Sequence, residues 1–324
     1  MTFSEAYEEW HPEKLRVVKM TTMAAYDLAY RTHLRPAFGS ADVDCIRRRD
    51  MQRWAYAKLD AGLAVKTVRD LLAVLKMVLR WVSEEYEIPV DASWRMEWPT
   101  NNIYEGGGVR RYTAAEVTRI IAEVQAHPSP PRLGIMLALV TGMRIGELCA
   151  LRFSDIDWQT GMLKVCRTVS RIYVVNRNGT AGGRTRLVIN PPKTRSSRRE
   201  IPLMREVVPL LRRYAKAAAP DSYVLTLTDR PRDPRAYRDT YRRFILRRVG
   251  LSRCLNFHCL RHTFATTLIE AKVDVKTVST ILGHRDVSTT LNVYVHPSGD
   301  TCRAAINTAL RRVVRETKTS RYDK

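Results

Sequence analysis

Residues 141–148, Thr-Gly-Met-Arg-Ile-Gly-Glu-Leu, stand where the apolar rhythm of the chain changes. Upstream, residues 133–141 read as a helix, and Thr113 with Glu116 forms a Thr-x-x-Glu capping box ahead of Val117, Ile120 and Ile121. Downstream, the apolar residues fall into short β-branched runs at 163–169, 171–175, 186–189 and 200–203, which predict a small antiparallel sheet. From residue 205 helical spacing returns, punctuated by Pro220, Pro231, Pro234, Gly250 and Gly283. The second part of the chain is therefore expected to be mainly helical, with one small sheet set into it.

Further upstream the chain reads as purely helical. Val68, Leu71, Leu72, Leu75, Val78, Leu79 and Val82 recur at spacings of three and four, the stripe of a helix with one face in a core. Earlier helices are expected over 23–34, ended by Pro36 and Gly39, and over 51–59, ended by Gly62. Residues 99–111 hold three consecutive glycines among polar neighbours and read as a linker. Three segments follow: an all-α domain over 1–98, the linker 99–111, and a second domain over 112–324.

The 324 residues carry 55 Lys and Arg against 33 Asp and Glu, a formal charge of +22. Residues 1–100 are balanced with 15 of each sign, so the whole excess falls in the second part. Such an excess predicts a polyanionic partner, nucleic acid first, because cationic groups displace its condensed counterions. Charge selects that partner class and no activity. No stretch is long and apolar enough for a membrane span, and the acidic start is unlike a signal peptide, so a cytoplasmic protein is expected. Cys45, Cys149, Cys166, Cys254, Cys259 and Cys302 lack paired spacing, which fits reduced thiols.

Four segments hold polar groups suited to a phosphate. In residues 141–148, Gly142 and Gly146 permit a tight turn that places Arg144 near helix termini, where a guanidinium can grip two phosphate oxygens; a surface pair with Glu147 is the plainer reading. Residues 191–203, Pro-Pro-Lys-Thr-Arg-Ser-Ser-Arg-Arg-Glu-Ile-Pro-Leu, form a basic turn between two expected strands. There Lys193 has the flexible donor of a general acid, while Arg195, Arg198 and Arg199 suit phosphate contact. In residues 258–264, His-Cys-Leu-Arg-His-Thr-Phe, a spacing of three puts His258 and Arg261 on one helix face. A metal site from Cys254, His258, Cys259 and His262 fits no standard zinc spacing. Last, Leu282-Gly283-His284 precedes Thr289-Thr-Leu-Asn-Val-Tyr294-Val-His296. A tyrosine here is a core aromatic or a nucleophile, whose phenol needs nearby cations to lose its proton.

Taken in order, these four segments, with Asp155-Ile156-Asp157 after the first, resemble the tyrosine recombinase, or phage integrase, family. The resemblance implies a helical, SAM-like core-binding domain followed by a catalytic domain of the DNA breaking-rejoining fold. It implies that Arg144 and Arg261 clamp a scissile phosphate, that Lys193 protonates the departing 5′ oxygen, and that Tyr294 is the nucleophile. His258 and His284 would assist proton transfer, and Glu147 would orient Arg144. No metal or other cofactor is called for. The residues ask for the same chemistry, since charge developing on a pentacoordinate phosphate is met by preorganised cations.

His284 and Tyr294 are ten residues apart, one more than in many members, and Asn292-Val-Tyr-Val-His296 is similar to a subgroup associated with mobile elements. With the helical domain read from the first residues, no arm-binding domain is expected. Lys66, Arg69 and other basic residues of the balanced first domain must be segregated to one face if it is to grip DNA. Residues 301–314 carry an apolar stripe of Ala305, Ile306, Ala309, Leu310 and Val313, which by itself reads as packing within the chain and which the resemblance reads as an exchange helix of a tetramer. The expected partners are double-stranded DNA with specific recombination sites, copies of the chain in a homotetramer, and accessory DNA-bending proteins in some settings. Integration or excision of a mobile element, DNA inversion and chromosome-dimer resolution stand side by side as roles. A type IB topoisomerase-like enzyme and a non-catalytic DNA-binding regulator are the alternatives.

Overall fold

The computed structural model describes residues 1–90, 93–99, 110–175, 181–192, 195–294 and 303, without the side chains of 174, 175, 181–184, 195 and 292–294. Two compact units are present, Met1–Gly108 with Ser170–Val188, and Val109–Val169 with Ile189–Lys324.

The first unit is built on helices α1 (Phe3–Val17), α2 (Met20–Ala29), α3 (Arg35–Phe38), α4 (Arg48–Asp60) and α5 (Val65–Glu85). The start of α1 is fixed reciprocally: Thr2 Oγ1 accepts the Glu5 N–H, and the Glu5 carboxylate accepts the Thr2 N–H. The expected stripe of α5 is buried in full, Val68, Leu75, Val78, Leu79 and Val82 all at 0 % exposure, against Phe3, Leu34, Met51 and Ala55. Each such side chain contributes roughly 1.5–3 kcal/mol, an upper bound for a compact unfolded chain.

Pro36 does not end the second helix as its residue type predicts. A π-helical turn over Tyr30–Leu34 widens the ladder, with the Arg35 N–H reaching the Tyr30 carbonyl, and α3 resumes with Pro36 in its first turn, where no donor is needed. The outward face of α5 carries charges of both signs, with Lys66 beside the exposed Asp70. Lys66, Arg69 and Arg80 are exposed on the side opposite the apolar stripe.

The second unit contains α6 (Ala114–Ala126), α7 (Pro130–Thr141), α8 (Ile145–Cys149), α9 (Val208–Ala215), α10 (Pro234–Arg243), α11 (His258–Glu270), α12 (Val275–Leu282) and α13 (Val287–Tyr294). The box foreseen at Thr113 and Glu116 caps α6. Helix α7 is buried on nearly every side and forms the axis of the core. At Gly134 a methyl group would stand 2.4 Å from both Leu225 and the Tyr237 hydroxyl, so only glycine lets α10 approach, and that hydroxyl donates to the Pro131 carbonyl at 2.7 Å. Tyr112 and Tyr241, both buried, share a hydrogen bond of 2.6 Å between their hydroxyls, while Tyr112 Oη accepts the Leu255 N–H. Burial pushes the Tyr112 phenol up to about 12.

The strands form two sheets, where one was expected. β1 (Ile156–Asp157), β2 (Met162–Val165) and β5 (Arg199–Pro202) make an antiparallel sheet in the order β1-β2-β5, with Val165 opposite Arg199 and Leu163 opposite Ile201. β3 (Thr168–Val175) and β4 (Ala181–Asn190) pair with each other. The run at 163–169 is thus cut by Cys166 and Arg167, whose guanidinium turns to the buried Asp155 at 2.6 Å. The exchange helix expected at 301–314 lies outside the described residues, apart from Arg303.

Candidate active site

Helix α7 ends at Gly142, whose φ of +64° is a left-handed cap; a methyl group there would also meet Phe264 at 2.5 Å and Leu282 at 2.8 Å. The turn carries the chain to Arg144, the N-cap of α8. Glu147, three residues on, receives the Arg144 backbone N–H on Oε2 at 3.0 Å and Nη1 of the same arginine on Oε1 at 2.9 Å. This reciprocal cap aims the Arg144 side chain, 38 % of which remains open to solvent. Gly146, expected to serve the turn, serves close packing instead: a methyl group would lie 2.5 Å from Thr168 Oγ1 and 2.7 Å from the Val169 carbonyl.

Glu147 itself is 4 % exposed and is also held by Arg199, through Nη1 to Oε1 at 3.2 Å and Nη2 to Oε2 at 3.0 Å. Burial would push its carboxyl up, but the Arg199 guanidinium with its hydrogen bonds, and Arg144 behind it, prevail and hold it below the usual carboxylate range.

Arg261, one turn into α11 and 1 % exposed, donates from Nη1 to the Gly142 carbonyl and from Nη2 to the Leu282 carbonyl, both at 2.8 Å. Its guanidinium thus joins the C-terminal ends of α7 and α12, where carbonyls gather partial negative charge. Helix α12 ends as α7 does, at a glycine with positive φ, Gly283 at +67°. The turn delivers His284, whose Nδ1 lies 2.8 Å from Oγ1 of the fully buried Thr290 on α13. His258 opens α11, its ring edge to face with His262 at 4.6 Å. Burial, then the nearby His262, Arg261 and Arg144, lower His258 to about 4. Burial, then Arg261, Arg144 and Arg199, lower His284 to about 4 as well. Both imidazoles are neutral at pH 7 in the free protein.

Arg144 and Glu147 line an open cleft of about 340 Å³ with Thr168, Pro192, Ser197, Gly283, His284, Arg285 and Thr289. On its other side Arg144 borders a second, larger cleft of about 670 Å³ shared with His258, Asn256, Arg238 and Arg242. Arg144 thus stands between the cleft of His284 and that of His258, with Glu147 behind it and Arg261 joining the two helix ends that lead to Arg144 and His284. Lys193 lies outside the described residues; Tyr294 is placed as the last residue of α13, and its side chain is not described. Arg195 opens a 3₁₀ turn with its side chain not described, and Arg198 is exposed.

Arg199 departs from its expected place among exposed phosphate contacts. Its side chain is 4 % exposed and turned inward, because it shares the inner face of β5 with Ile201 two residues on. In the first unit, Lys66 pairs with Asp70 at 3.0 Å and Arg69 stacks over Trp98 at 4.8 Å, both still exposed. The cysteines near His258 turn elsewhere, Cys254 to the Leu255 carbonyl and Cys259 to Asn256. Among the described residues no three His, Cys, Asp or Glu side chains are grouped to hold a metal, and no helix is long and apolar enough to cross a membrane.

A SAM-like helical unit, and a mainly helical unit with small antiparallel sheets in which Arg144 borders two clefts, one lined by His258 and the other by His284, define the DNA breaking-rejoining class. Residues 110–300 match the Phage integrase family and residues 2–59 match its N-terminal SAM-like domain, so the chain belongs to the phage integrase family, as a tyrosine-type recombinase. It is similar to the "Tyrosine recombinase XerC-like" protein of Caldanaerobacter subterraneus subsp. tengcongensis, 26 % identical over 318 residues that cover 91 % of this chain and 79 % of that one. It is also 25 % identical over 289 residues to "Tyrosine recombinase XerA" of Saccharolobus solfataricus, covering 85 % and 82 %. Among solved structures, the Tn1549 transposon integrase in complex with a circular intermediate DNA shares the fold with a TM-score of 0.77 at 23 % identity, over 95 % of this chain and 99 % of that one. A lambda integrase dimer bound to a core site does so with a TM-score of 0.65 at 20 % identity, over 92 % and 97 %.

Proposed function

We propose that the protein cuts and rejoins double-stranded DNA at specific sites through a phosphotyrosine bond. The observation that carries this reading is Arg144 standing between the clefts that His258 and His284 line, held by the buried Glu147 carboxylate, with Arg261 joining the helix ends that lead to Arg144 and His284. Arg144, Arg199 and Arg261 against Glu147 leave two positive charges. A phosphodiester carries one negative charge and its pentacoordinate state two, so this excess favours the transition state over the ground state.

The Tyr294 phenol oxygen attacks the scissile phosphorus; a P–O bond to tyrosine forms as the bond to the 5′ oxygen breaks. The phenolic proton passes to a neutral imidazole, for which His258 and His284 are poised, and Lys193 supplies a proton to the departing 5′ oxygen. The 3′-phosphotyrosine keeps the energy of the broken phosphodiester, so attack by another 5′ hydroxyl reseals DNA without ATP. Arg144 and Arg261 hold the non-bridging oxygens, and Glu147 orients Arg144. Arg195 and Arg198 beside the cleft, and Lys66 and Arg69 on α5, contact the backbone of the same duplex.

The assignment of residues 1–98 as clamp, 99–111 as linker and 112–324 as catalytic domain is part of this reading, as is action on the nucleoid in the cytoplasm. The apolar stripe of 305–313, and the lambda integrase tetramer bound to a Holliday junction, support a homotetramer on two paired sites, with DNA-bending proteins as added partners where a site requires them. The Asn292-Val-Tyr-Val-His296 ending favours integration or excision of a mobile element, with inversion as the neighbouring role. The test incubates wild type and Tyr294→Phe with nicked duplexes drawn from DNA flanking the gene. A protein-linked strand on a denaturing gel, seen only with wild type, is expected. Equal adduct from both proteins would overturn the assignment.

A further inference from the structure

We infer that Arg199 is a positioning residue for the reaction: its guanidinium locks Glu147, and through it Arg144, to the end of α12 that presents His284. The inference rests on the site reading above and gives a role to a side chain that is turned inward and 4 % exposed.

The geometry is a three-way joint. Nη1 and Nη2 grip both oxygens of Glu147, Nε donates to the Ile281 carbonyl in the last turn of α12 at 2.6 Å, and Nη1 also donates to the Ser197 carbonyl at 3.2 Å. Four donor bonds thus leave one planar group in fixed directions, which the rigid fork of arginine permits and the point charge of lysine does not. Each Glu147 oxygen is left accepting twice, once from Arg144 and once from Arg199, so the carboxylate has no freedom to turn away. On the other side the joint stands under the turn to His284. A methyl group on Gly283 would meet Arg199 Cδ and the Ser196 carbonyl, each at 2.9 Å, so the α12 cap lies directly on the arginine stem. Strand β5 anchors the stem, since Arg199 pairs with Val165 of β2. One side chain therefore sets the distance between the Arg144 cap and the His284 turn, which belong to different parts of the sequence. Its charge also acts on His284, as one of the cations that lower that imidazole.

The test compares wild type, Arg199→Lys and Arg199→Met in the full chain. On a nicked duplex at saturating protein, both variants are expected to bind DNA within about threefold of wild type, yet form covalent adduct about 100-fold more slowly, the scale of a misplaced phosphate ligand. Lysine restoring the rate to within a few-fold would overturn the inference, because charge alone would then suffice. A loss of rate matched by an equal loss of binding would also overturn it, leaving Arg199 a fold residue only. NMR titration of His284 in the free protein needs no catalysis and separates this inference from the site reading. It should move in both Arg199→Met and Arg199→Lys, because each frees the α12 turn that carries the ring; a titration unmoved in both overturns the joint whatever the wild type does to DNA.

Discussion

Replacing Glu147 by glutamine keeps its shape and removes the charge that two arginines share. Arg199, 4 % exposed, cannot recover hydration once its partner is neutral, whereas Arg144, 38 % exposed, largely can. Breaking a buried pair costs about 3–5 kcal/mol, and an exposed one at most about 1 kcal/mol. The amide retains one acceptor oxygen, so half of the four hydrogen bonds survive and the low end applies, about 3 kcal/mol. For a unit of this size that lowers the melting temperature by about 6–12 °C, read by calorimetry at pH 7. The dependence on pH has a definite sign. A carboxyl held below its usual range stabilises fully above its unfolded pKa near 4.3, and that contribution is lost as pH falls through the lower folded value. The gap between wild type and Glu147→Gln should be constant above about pH 5 and narrow in stronger acid. A variant melting within about 2 °C of wild type at pH 7 would refute this account of the joint.

Gly283→Ala combines left-handed backbone with two contacts at 2.9 Å, whereas Gly161→Ala, at φ +70°, meets nothing within 4 Å. Gly161→Ala should cost about 1 kcal/mol in denaturant titration and Gly283→Ala about 1–3 kcal/mol more; equal costs would contradict the close approach. His284 should titrate near 4 in free protein and higher on a bound duplex, because phosphate opposes the arginines that lower it; an NMR titration unchanged by DNA would place the phosphate elsewhere. With both imidazoles kept neutral by the fold, stability of the free protein should fall as pH drops from about 6.5 toward 4, the window in which unfolded histidine takes up protons. Replacing Lys66 and Arg69 by alanine should weaken binding to every duplex alike and flatten the salt dependence by about 0.9 per contact in log–log slope; an unaltered slope in fluorescence anisotropy would remove α5 from the DNA.

The periodic features were legible in advance. The α5 stripe, the box at Thr113 and Glu116, and the strand runs after residue 160 follow from spacings that burial enforces. Arg144, His258, Arg261 and His284 stood out in the sequence as an ordered set of polar residues within apolar helical segments, and the structure places Arg144 between the clefts that the two histidines line. What was hidden came from tertiary packing. Pro36 ended a helix by its type, yet the π turn ahead of it absorbed the missing donor. Arg199 read as one more basic residue in a basic turn, and only its alternation with Ile201 on β5 hinted that it points inward. The strands divide into two sheets at Cys166 and Arg167, where Arg167 turns to Asp155, a contact between residues twelve apart that no local pattern encodes. The role of Gly146 was misread for a related reason: what it accommodates is the approach of β3, not a bend in its own segment.

The central claim, that Tyr294 becomes covalently joined to DNA, is tested most directly by mass spectrometry of the trapped adduct. The protein-linked strand is trimmed with nuclease and the protein digested with trypsin, which releases residues 286–303 as one peptide holding a single tyrosine. The account predicts a nucleotide joined through its 3′ phosphate to Tyr294. A nucleotide mapped to any other residue, or joined through a 5′ phosphate, would contradict it.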